Sequence, residues 1–373
     1  MKTRLLKLFS VILGISFYMH GQSQVVPVRP ISTSVPFLRI APDARAGGMG
    51  DIGVATNPDE YSLFYNMGKV VFNEKKSGIG INYTPFLREL GLRDVYMMAA
   101  SGYYKLDDEQ AITGGLRYYS HGNAQFTDEV GNNLNTFKPN DLAIEAGYSR
   151  KLSSKSGLGV SLRYINSKLT NASADYKTGS SVAADIGFFS TNKNAAGQGW
   201  NYGIALTNLG AKIGYTNNAQ QKDYLPANLG LGIGYTAVIN ADNKLSFGLD
   251  INKLMVPTPP DDNDANAVAN YRTQSVASSW FKSFSDAPNG FSEELKEFQV
   301  GLGAEYTYDN QFTLRTGYFN ESETKGNRKY FTLGAGIIYK AAKLNFSYLV
   351  PNKTGSVALS NTVRISVIFN FKK

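Results

Sequence analysis

The chain of 373 residues contains no cysteine and only two histidines. The absence of cysteine excludes disulfide bonds, thiolate metal sites and cysteine nucleophiles, and it also excludes lipoprotein anchoring. Apart from His20 near the N-terminus, the chain has only His121, and one imidazole cannot build a histidine zinc site. The adjacent Ser120 cannot easily pair with His121, because neighbouring residues at a strand end point to opposite sides. We therefore expect a satisfied or solvated loop histidine, and we expect that the protein is not an enzyme.

Long apolar runs and concentrated charge are also missing. After the N-terminal stretch, no segment reaches the ~18 apolar residues that mark a membrane-spanning helix. Barrel strands need only ~9–11 residues and alternate in polarity, so this absence leaves a membrane β-barrel open. The net charge is +8, and without the three cations of residues 1–23 there remain 35 basic and 30 acidic residues. This mild and dispersed excess disfavours a nucleic-acid-binding surface.

The N-terminus has the parts of a secretory signal peptide. Three cations precede a short apolar stretch, and the small residues Gly21 and Ser23 then occupy the −3 and −1 positions of a cleavage site. We expect the protein to be exported. Residues 1–23 are the predicted signal peptide, and the mature chain is expected to start at Gln24, with Gln22 as the next choice.

From Ser77 onward, apolar and polar residues alternate with a period of two, which predicts β-strands. The last predicted strand shows this alternation clearly. One face carries Val363, Ile365, Val367, Phe369 and Phe371. The other face carries Thr362, Arg364, Ser366 and Asn370, with Ile368 as the one exception. An alternating strand that closes the chain on aromatic residues is typical of outer-membrane barrels.

The pattern predicts fourteen strands. They cover about 77–83, 94–105, 110–119, 141–151, 156–166, 179–191, 199–207, 228–239, 244–251, 298–308, 312–318, 329–339, 342–349 and 362–371. Short turns such as Leu106–Glu109 alternate with long connections such as 120–140, which is typical of short periplasmic turns and long outer loops. An even strand count places the C-terminus on the periplasmic side, where we also expect the N-terminal segment to begin. The prediction is an all-β fold, in which residues 77–373 form a 14-stranded antiparallel transmembrane barrel in the outer membrane.

Residues 24–76, here called the plug segment, precede the strands and differ from them. The plug segment contains five prolines and a glycine cluster over 47–50, and it lacks two-residue alternation. We expect short helical turns around Pro42–Met49 and Pro58–Asn66. Residues 48–53 match G-x-G-x-x-G, but the buried strand and βαβ unit of a dinucleotide site are missing. Close packing of a glycine-rich plug explains these glycines better.

The connection over residues 252–297, here called the long loop, is the strongest functional candidate. Loops of this length are usually functional or disordered. The first half, around Pro257–Asp262, is predicted to be extended. Residues 262–266 open like a calcium loop, but Ala267 and Thr273 replace the Gly and Glu that such a loop requires. A solvated acidic loop therefore explains these residues better than a calcium site.

The second half of the long loop carries an aromatic stripe. Val276, Trp280 and Phe284 lie at helical i, i+4 spacing, and Phe281 lies beside them. A short helix with such a stripe on the outer face needs an apolar surface on which to bury it. Two alternatives remain open: the helix folds back over the mouth of its own barrel, or it docks into a groove of a partner.

The N-terminal part of the plug segment resembles a known family. Phe37–Gly50, followed by Gly53–Thr56, resembles the start of the PorV proteins of the type IX secretion system, which belong to the wider FadL-like fold class. The resemblance extends over the full length, including the signal peptide, fourteen strands and the long loop. It implies that six residues belong to a plug or hatch: Pro42, Asp43, Arg45, Gly47, Gly48 and Gly50.

The resemblance also implies a function without a cofactor. Proteins of this family sit in the outer membrane, associate with a giant translocon barrel and receive cargo through its C-terminal domain. They then carry the cargo to a cell-surface attachment complex that contains a sortase-like protease. Together with the aromatic stripe, this makes Trp280, Phe281 and Phe284 the expected contacts with translocon or cargo.

The alternative is a FadL-like outer-membrane transporter of hydrophobic small molecules. Two features disfavour it: such a transporter does not need the long loop, and Asn66-Met67-Gly68 stands where FadL-type barrels have Asn-Pro-Ala. An open porin is disfavoured because the plug segment is well placed to fill the lumen.

Overall fold

A computed structural model describes residues 29–128, 130–170, 176–218, 221–260, 264–351 and 361–371. The predicted signal peptide lies outside these ranges. Within them, fourteen antiparallel strands close into one barrel. Each barrel strand pairs with the barrel strands before and after it in the chain, and the last strand pairs with the first.

Strands are numbered along the described chain. The barrel strands are β1 (Ser77–Pro85), β2 (Val95–Lys105), β3 (Gln110–His121), β6 (Asn140–Lys151), β7 (Ser156–Lys168), β8 (Gly179–Lys193), β9 (Gly199–Gly210), β12 (Asn228–Val238), β13 (Asn243–Leu254), β14 (Phe298–Tyr308), β15 (Phe312–Asn320), β16 (Lys329–Tyr339), β17 (Ala342–Pro351) and β18 (Val363–Phe371). Two small hairpins on long connections pair β4 (Ala124–Thr127) with β5 (Asn133–Phe137) and β10 (Ile213–Gly214) with β11 (Lys222–Asp223). All fourteen predicted strands are confirmed, with ends that differ by a few residues, whereas the two hairpins were not predicted.

The barrel carries apolar side chains outside and polar side chains inside. On β18, Ile365 and Val367 are exposed, while Arg364 and Ser366 are buried in the lumen, as the alternation predicted. This arrangement suits a barrel whose outer band faces lipid. Among the described residues, no helix is both long and apolar enough to cross a membrane.

The described part of the plug segment, residues 29–76, runs through the lumen from one end to the other. At the end with the long connections, the Arg29 N–H donates to the Thr324 carbonyl (2.9 Å) and the Ser34 N–H to the Tyr224 carbonyl (3.0 Å). Further along, Glu60 lies 3.3 Å from Lys343, beside a short turn. The expectation that the segment begins at the periplasmic, short-turn end is therefore wrong for its first described residues. The even number of strands fixes only the end of the barrel at which β1 starts. The chain before β1 is long enough to run through the lumen from the opposite end.

Short helical elements shape the plug segment. It contains helix α1 (Ala44–Gly47) and 3₁₀ turns at Pro36–Arg39, Ser62–Phe64 and Met67–Phe72. The Asp43 side chain caps α1 by accepting hydrogen bonds from the N–H groups of Arg45 (2.8 Å) and Ala46 (2.9 Å). Helix α1 and the turn at Ser62–Phe64 lie where the sequence predicted helical turns, whereas the turns at Pro36–Arg39 and Met67–Phe72 were not predicted.

The long loop contains three helices. They are α2 (Ala265–Thr273), α3 (Val276–Lys282) and α4 (Phe291–Glu294), and α4 continues into a 3₁₀ turn at Leu295–Glu297. Another 3₁₀ turn, Arg88–Leu90, lies between β1 and β2. Helix α2 was not predicted; it follows the stretch around Pro257–Asp262 that was predicted to be extended, and Asp264 caps it by accepting from the Ala267 N–H (2.9 Å). Of the candidate calcium positions, 262 and 263 lie outside the described residues.

Candidate functional site

Glycines on both sides allow the plug backbone to touch the barrel wall. A Cβ on Gly50 would lie 2.5 Å from the Leu302 carbonyl oxygen, and the φ angle of Gly50 is +70°. On the wall, a Cβ on Gly317 would lie 2.1 Å from the Gly50 nitrogen. Only residues without a side chain can approach this closely. The G-x-G-x-x-G match therefore has a packing explanation.

Arg45 fastens the plug segment to the wall. Its guanidinium donates to both carboxylate oxygens of Glu305, at 2.9 and 3.0 Å, and to Asp59 within the plug at 2.9 Å. Arg315 donates to the same Glu305 at 2.6 Å. Glu305 lies on β14 and Arg315 lies on β15. This buried network therefore holds the plug to the wall by bidentate, charge-assisted hydrogen bonds between Arg45 and Glu305.

The other plug residues implied by the resemblance also lie inside the barrel. A Cβ on Gly47 would meet Arg364 Nη1 at 2.6 Å, and one on Gly48 would meet the Gly334 Cα at 3.0 Å. Asp43 also accepts a hydrogen bond from the Tyr65 hydroxyl at 2.7 Å. Pro42 lines a cavity of about 120 Å³ on the long-loop side of the plug. Structurally, all six residues belong to the element that fills the lumen.

The first half of the long loop and the start of α3 cover the barrel mouth. Tyr271 and Val276 pack against a buried cluster that includes Ile31, Tyr224 and Leu254. Nearby, the Lys212 ammonium donates to backbone carbonyls at the end of α2, at 2.8 and 2.9 Å. Ile31 belongs to the plug segment, so this half of the loop folds back over its own barrel.

The second half lies outside the wall. Lys253 shares a face of β13 with the exposed Phe247, so its side chain leaves the barrel on the outer side. Lys253 is nevertheless only 1% exposed, because Glu294 and Glu297 cover it, with oxygens 3.1 and 2.5 Å from its Nζ. One part of the long loop thus folds back over the mouth of its own barrel, and the docking of the other part to a partner stays a prediction.

A buried cluster of charges anchors this second half. Lys325 reaches Glu293 at 2.7 Å and Glu297 at 2.9 Å, which ties the loop to the connection after β15. Burial, together with the nearby carboxylates of Glu297 and Glu294, raises the pKa of Asp286 to about 6. Oxygens of Asp286, Glu294 and Glu297 lie within 4.8 Å of one another, as metal ligands do. Lys253 and Lys325 already bring two positive charges to this cluster, so we assign it as an anchor of lysines and carboxylates.

The anchored half exposes large apolar side chains. Residues 280–295, here called the docking segment, leave Phe281 80%, Phe284 39% and Phe291 75% exposed, and Leu295 is exposed as well. Trp280 is half-buried. Of the predicted contacts, Phe281 is therefore the most accessible. Phe291 and Leu295 were not predicted as contacts, although their i, i+4 spacing is the same pattern that singled out Trp280 and Phe284.

His121 does not face a serine nucleophile. Its Nε2 lies 2.8 Å from an oxygen of Asp141 at the rim of the barrel. The Ser120 hydroxyl instead donates to the Asp94 carbonyl at 2.8 Å. The expected separation of Ser120 and His121 is present, and His121 is a satisfied rim residue.

Solved structures of other barrels resemble this fold. The Ralstonia pickettii toluene transporter TbuX aligns over 88% of this chain and 98% of its own, with 12% identity and a TM-score of 0.52. The P. putida toluene transporter TodX aligns over 89% and 98%, with 12% identity and a TM-score of 0.51. A Pseudomonas aeruginosa FadL homologue aligns over 88% and 98%, with 11% identity and a TM-score of 0.46. At such identities the likeness to TbuX and TodX shows the fold alone.

Comparison at the level of sequence identifies the family. No curated protein matches this sequence. Residues 23–261 match the family described as type IX secretion system protein PorV. That match spans well over half of the chain and includes the plug segment and the strands up to β13. The chain therefore belongs to the PorV family of outer-membrane β-barrels.

Proposed function

We propose that this protein docks other components of the type IX secretion system through its docking segment. In this role it binds the giant translocon barrel and receives cargo through the cargo's C-terminal domain. It then delivers the cargo to the surface attachment complex with the sortase-like protease. Membership of the PorV family supports the system, and the docking segment supports the mode of contact.

The observation that carries this proposal is an exposed apolar surface on a fixed support. Phe281 and Phe291 are exposed on a segment whose base is held by Lys253 and Lys325. Large apolar side chains that a protein exposes together on an ordered segment are typical of contact sites for other proteins. Outer-membrane barrels keep their long loops outside, so the segment faces the exported proteins.

The lumen offers less support for the transport of hydrophobic molecules. The plug lies between a cavity on the long-loop side and a second cavity at the short-turn end. Arg45 and the glycine contacts fasten the plug to the wall. Charged side chains from plug and wall line both cavities, including Arg117 and Asp250 on the long-loop side. A path for an apolar solute would have to cross these groups without compensation for their lost hydration.

The test is a mild-detergent pull-down of the tagged protein from outer membranes, followed by mass spectrometry. One variant carries Phe281→Ala and Phe291→Ala, and a second carries Trp280→Ala and Phe284→Ala. The control carries Leu90→Ala and Phe126→Ala, exposed apolar residues at the same end but outside the docking segment. We expect the wild type and the control to recover a very large barrel or exported proteins with one shared C-terminal domain. Both docking variants should lose most of that recovery.

Two results would contradict the proposal. Unchanged recovery and unchanged secretion in both docking variants would remove the docking segment from the function. Recovery of the barrel alone, carrying a fatty acid or another apolar solute, would favour the hydrophobic transporter. Native mass spectrometry of the purified barrel distinguishes this second result from a simple failure of the pull-down.

A further inference from the structure

A large cavity lies at the short-turn end of the barrel, opposite the docking segment. Its volume is about 790 Å³, within the range of pockets that hold drug-sized ligands and far more than a single ion needs. Lys193, Lys244 and Lys343 line it from three different strands, each beside a short turn. We call this cavity the cationic vestibule.

The cationic vestibule has an excess of positive charge. Seven lysines and arginines and four aspartates and glutamates line it, an excess of three positive charges among the described residues. Several of these carboxylates already have partners. Glu305 is held by Arg45 and Arg315, and Glu60 lies 3.3 Å from Lys343.

Two of the lysines have weaker partners. The Lys244 ammonium donates to the amide oxygen of Asn310 at 2.9 Å, and the Lys193 ammonium donates to the amide oxygen of Asn57. A carboxylate is a stronger acceptor for an ammonium than a neutral amide is. Inside a concave wall with an excess of one charge sign, the electrostatic attraction for an opposite charge is also concentrated. An incoming carboxylate would therefore replace these amides as the acceptor.

The positions of the lysines favour an extended ligand over a small anion. Along the barrel, β8 and β13 are three strand steps apart, and β13 and β17 are four steps apart. Neighbouring strands are about 4.8 Å apart, so the backbone positions of these lysines are about 14 and 19 Å apart along the wall. One phosphate or one dicarboxylate cannot contact all three, whereas a chain with several carboxylates can.

We propose that the cationic vestibule binds an extended acidic peptide segment of a periplasmic protein. Short turns of outer-membrane barrels face the periplasm, so the opening of the vestibule is accessible from that compartment. The plug, fastened through Arg45, lies between the vestibule and the cavity on the long-loop side. The acidic segment enters and leaves by the same opening. This site is separate from the docking segment and does not depend on it.

The test measures binding of fluorescein-labelled hexaglutamate to the purified full-length barrel by fluorescence anisotropy. Labelled hexaglutamine is the neutral peptide, and unlabelled inorganic phosphate and citrate are the competing small anions. The vestibule variant carries Lys193→Gln and Lys244→Gln. The matched control carries Lys76→Gln and Lys155→Gln, which remove the same charge at the same end but do not line the cavity. Circular dichroism and gel mobility without heating show that each variant is folded.

We expect the wild type and the matched control to bind hexaglutamate but not hexaglutamine. The vestibule variant should bind hexaglutamate about tenfold more weakly, and added salt should weaken binding to the wild type. Equal weakening in the vestibule variant and the control would show only a diffuse surface charge and would overturn the proposal. Complete competition by phosphate or citrate at the peptide's concentration would replace it with a small-anion site. No binding of hexaglutamate by the folded wild type would also overturn it.

A second measurement uses the absence of cysteine in the chain. Ala196 lines the cationic vestibule, and Ala196→Cys would be the only cysteine of that variant. A bulky maleimide on this cysteine should block hexaglutamate, whereas the unlabelled variant should bind like the wild type. If the modified protein binds the peptide normally, the peptide site lies elsewhere.

Discussion

The plug segment and the docking segment are both irregular chain held by buried ion pairs, but they use their aromatic residues in opposite ways. In the plug segment, Phe37 and Tyr61 are buried within the barrel. In the docking segment, Phe281 and Phe291 are exposed. The surroundings of the glycines in the two segments differ as well. A Cβ on Gly50 would clash with the backbone of the barrel wall, whereas a Cβ on Gly290 would meet no atom within 4 Å.

The difference shows that one kind of anchor holds both a segment with buried aromatic side chains and a segment with exposed ones. Arg45 holds the plug segment so that its backbone closes on the wall, and Lys253 holds the docking segment so that its side chains remain free to make contacts. Closure requires close backbone approach and therefore glycine, while recognition requires exposed apolar area. Substitutions that separate these requirements test the comparison.

The largest effect is expected for Gly50→Ala. A methyl group there meets backbone atoms of β14 and β15, which cannot yield as a flexible side chain can. We expect the plug to lose about 4 kcal/mol of stability, of which about 1 kcal/mol is the strain of a positive φ. Hydrogen exchange of plug amides and conductance in a planar bilayer measure the loosened plug.

Gly91→Ala is the matched control, since Gly91 has φ +78° and no atom within 4 Å of an added Cβ. It carries the same conformational strain without the clash, so it should cost only about 1 kcal/mol and leave conductance unchanged. Equal effects of the two substitutions would show that the plug does not depend on close contact with the wall.

Lys253→Met should have the next largest effect, and it should act on the docking segment alone. The change leaves Glu294 and Glu297 buried beside the wall with one lysine fewer, which costs about 3 kcal/mol. Limited proteolysis should cut within 280–295 while the barrel stays folded. The control Lys329→Met removes an ion pair with the well-exposed Glu323 and should change stability by less than about 1 kcal/mol.

Asp286→Asn should change how the docking segment depends on pH. The folded-state pKa of Asp286, about 6, lies above its ordinary value of 3.8, so ionisation of this carboxyl opposes the anchored state. The protonated carboxyl stabilises the anchored segment fully below about pH 4, and this stabilisation is lost as the pH rises through 6. After solvent screening it amounts to about 1 kcal/mol. We expect hydrogen exchange in the segment, corrected for intrinsic rates, to be slower at pH 5 than at pH 8. The variant should remove most of this difference, and a difference that persists would show that Asp286 does not cause it.

The smallest effect on stability is expected for Phe281→Ser. A side chain this exposed contributes little to folding, so the change should stay within about 0.5 kcal/mol. The same change at the buried Phe37 should cost about 3 kcal/mol or more. Thermal unfolding of both variants measures the contrast. A large loss for Phe281→Ser would mean that the aromatic residue packs on the barrel and is not available for docking.

Most of the fold was predictable from local sequence patterns. The strands were predicted because alternation is a property of neighbouring residues, and β18 keeps the predicted division between Arg364 inside and Val367 outside. The i, i+4 spacing located α3 for the same reason. It did not show that Val276 packs inward while Phe281 remains exposed, since that division depends on which surface the helix meets.

Long-range pairings were not predictable in this way. Lys253, Glu297 and Lys325 are far apart along the chain and meet only when β13, β14 and the connection after β15 are side by side. Helix α2 was missed because the prolines and aspartates before it indicated an extended chain, while Asp264 in fact starts the helix as its cap.

The sequence by itself determined that this chain forms a barrel with an apolar outside, a polar lumen and a glycine-rich plug segment. Those features depend on residue type and on spacing over a few positions, which the chain carries before it folds. Only the tertiary structure decided that the plug segment enters from the long-loop end, that half of the long loop lies outside the wall, and that three lysines line one vestibule. These arrangements arise from barrel closure, which brings distant residues into contact through the register of the strands.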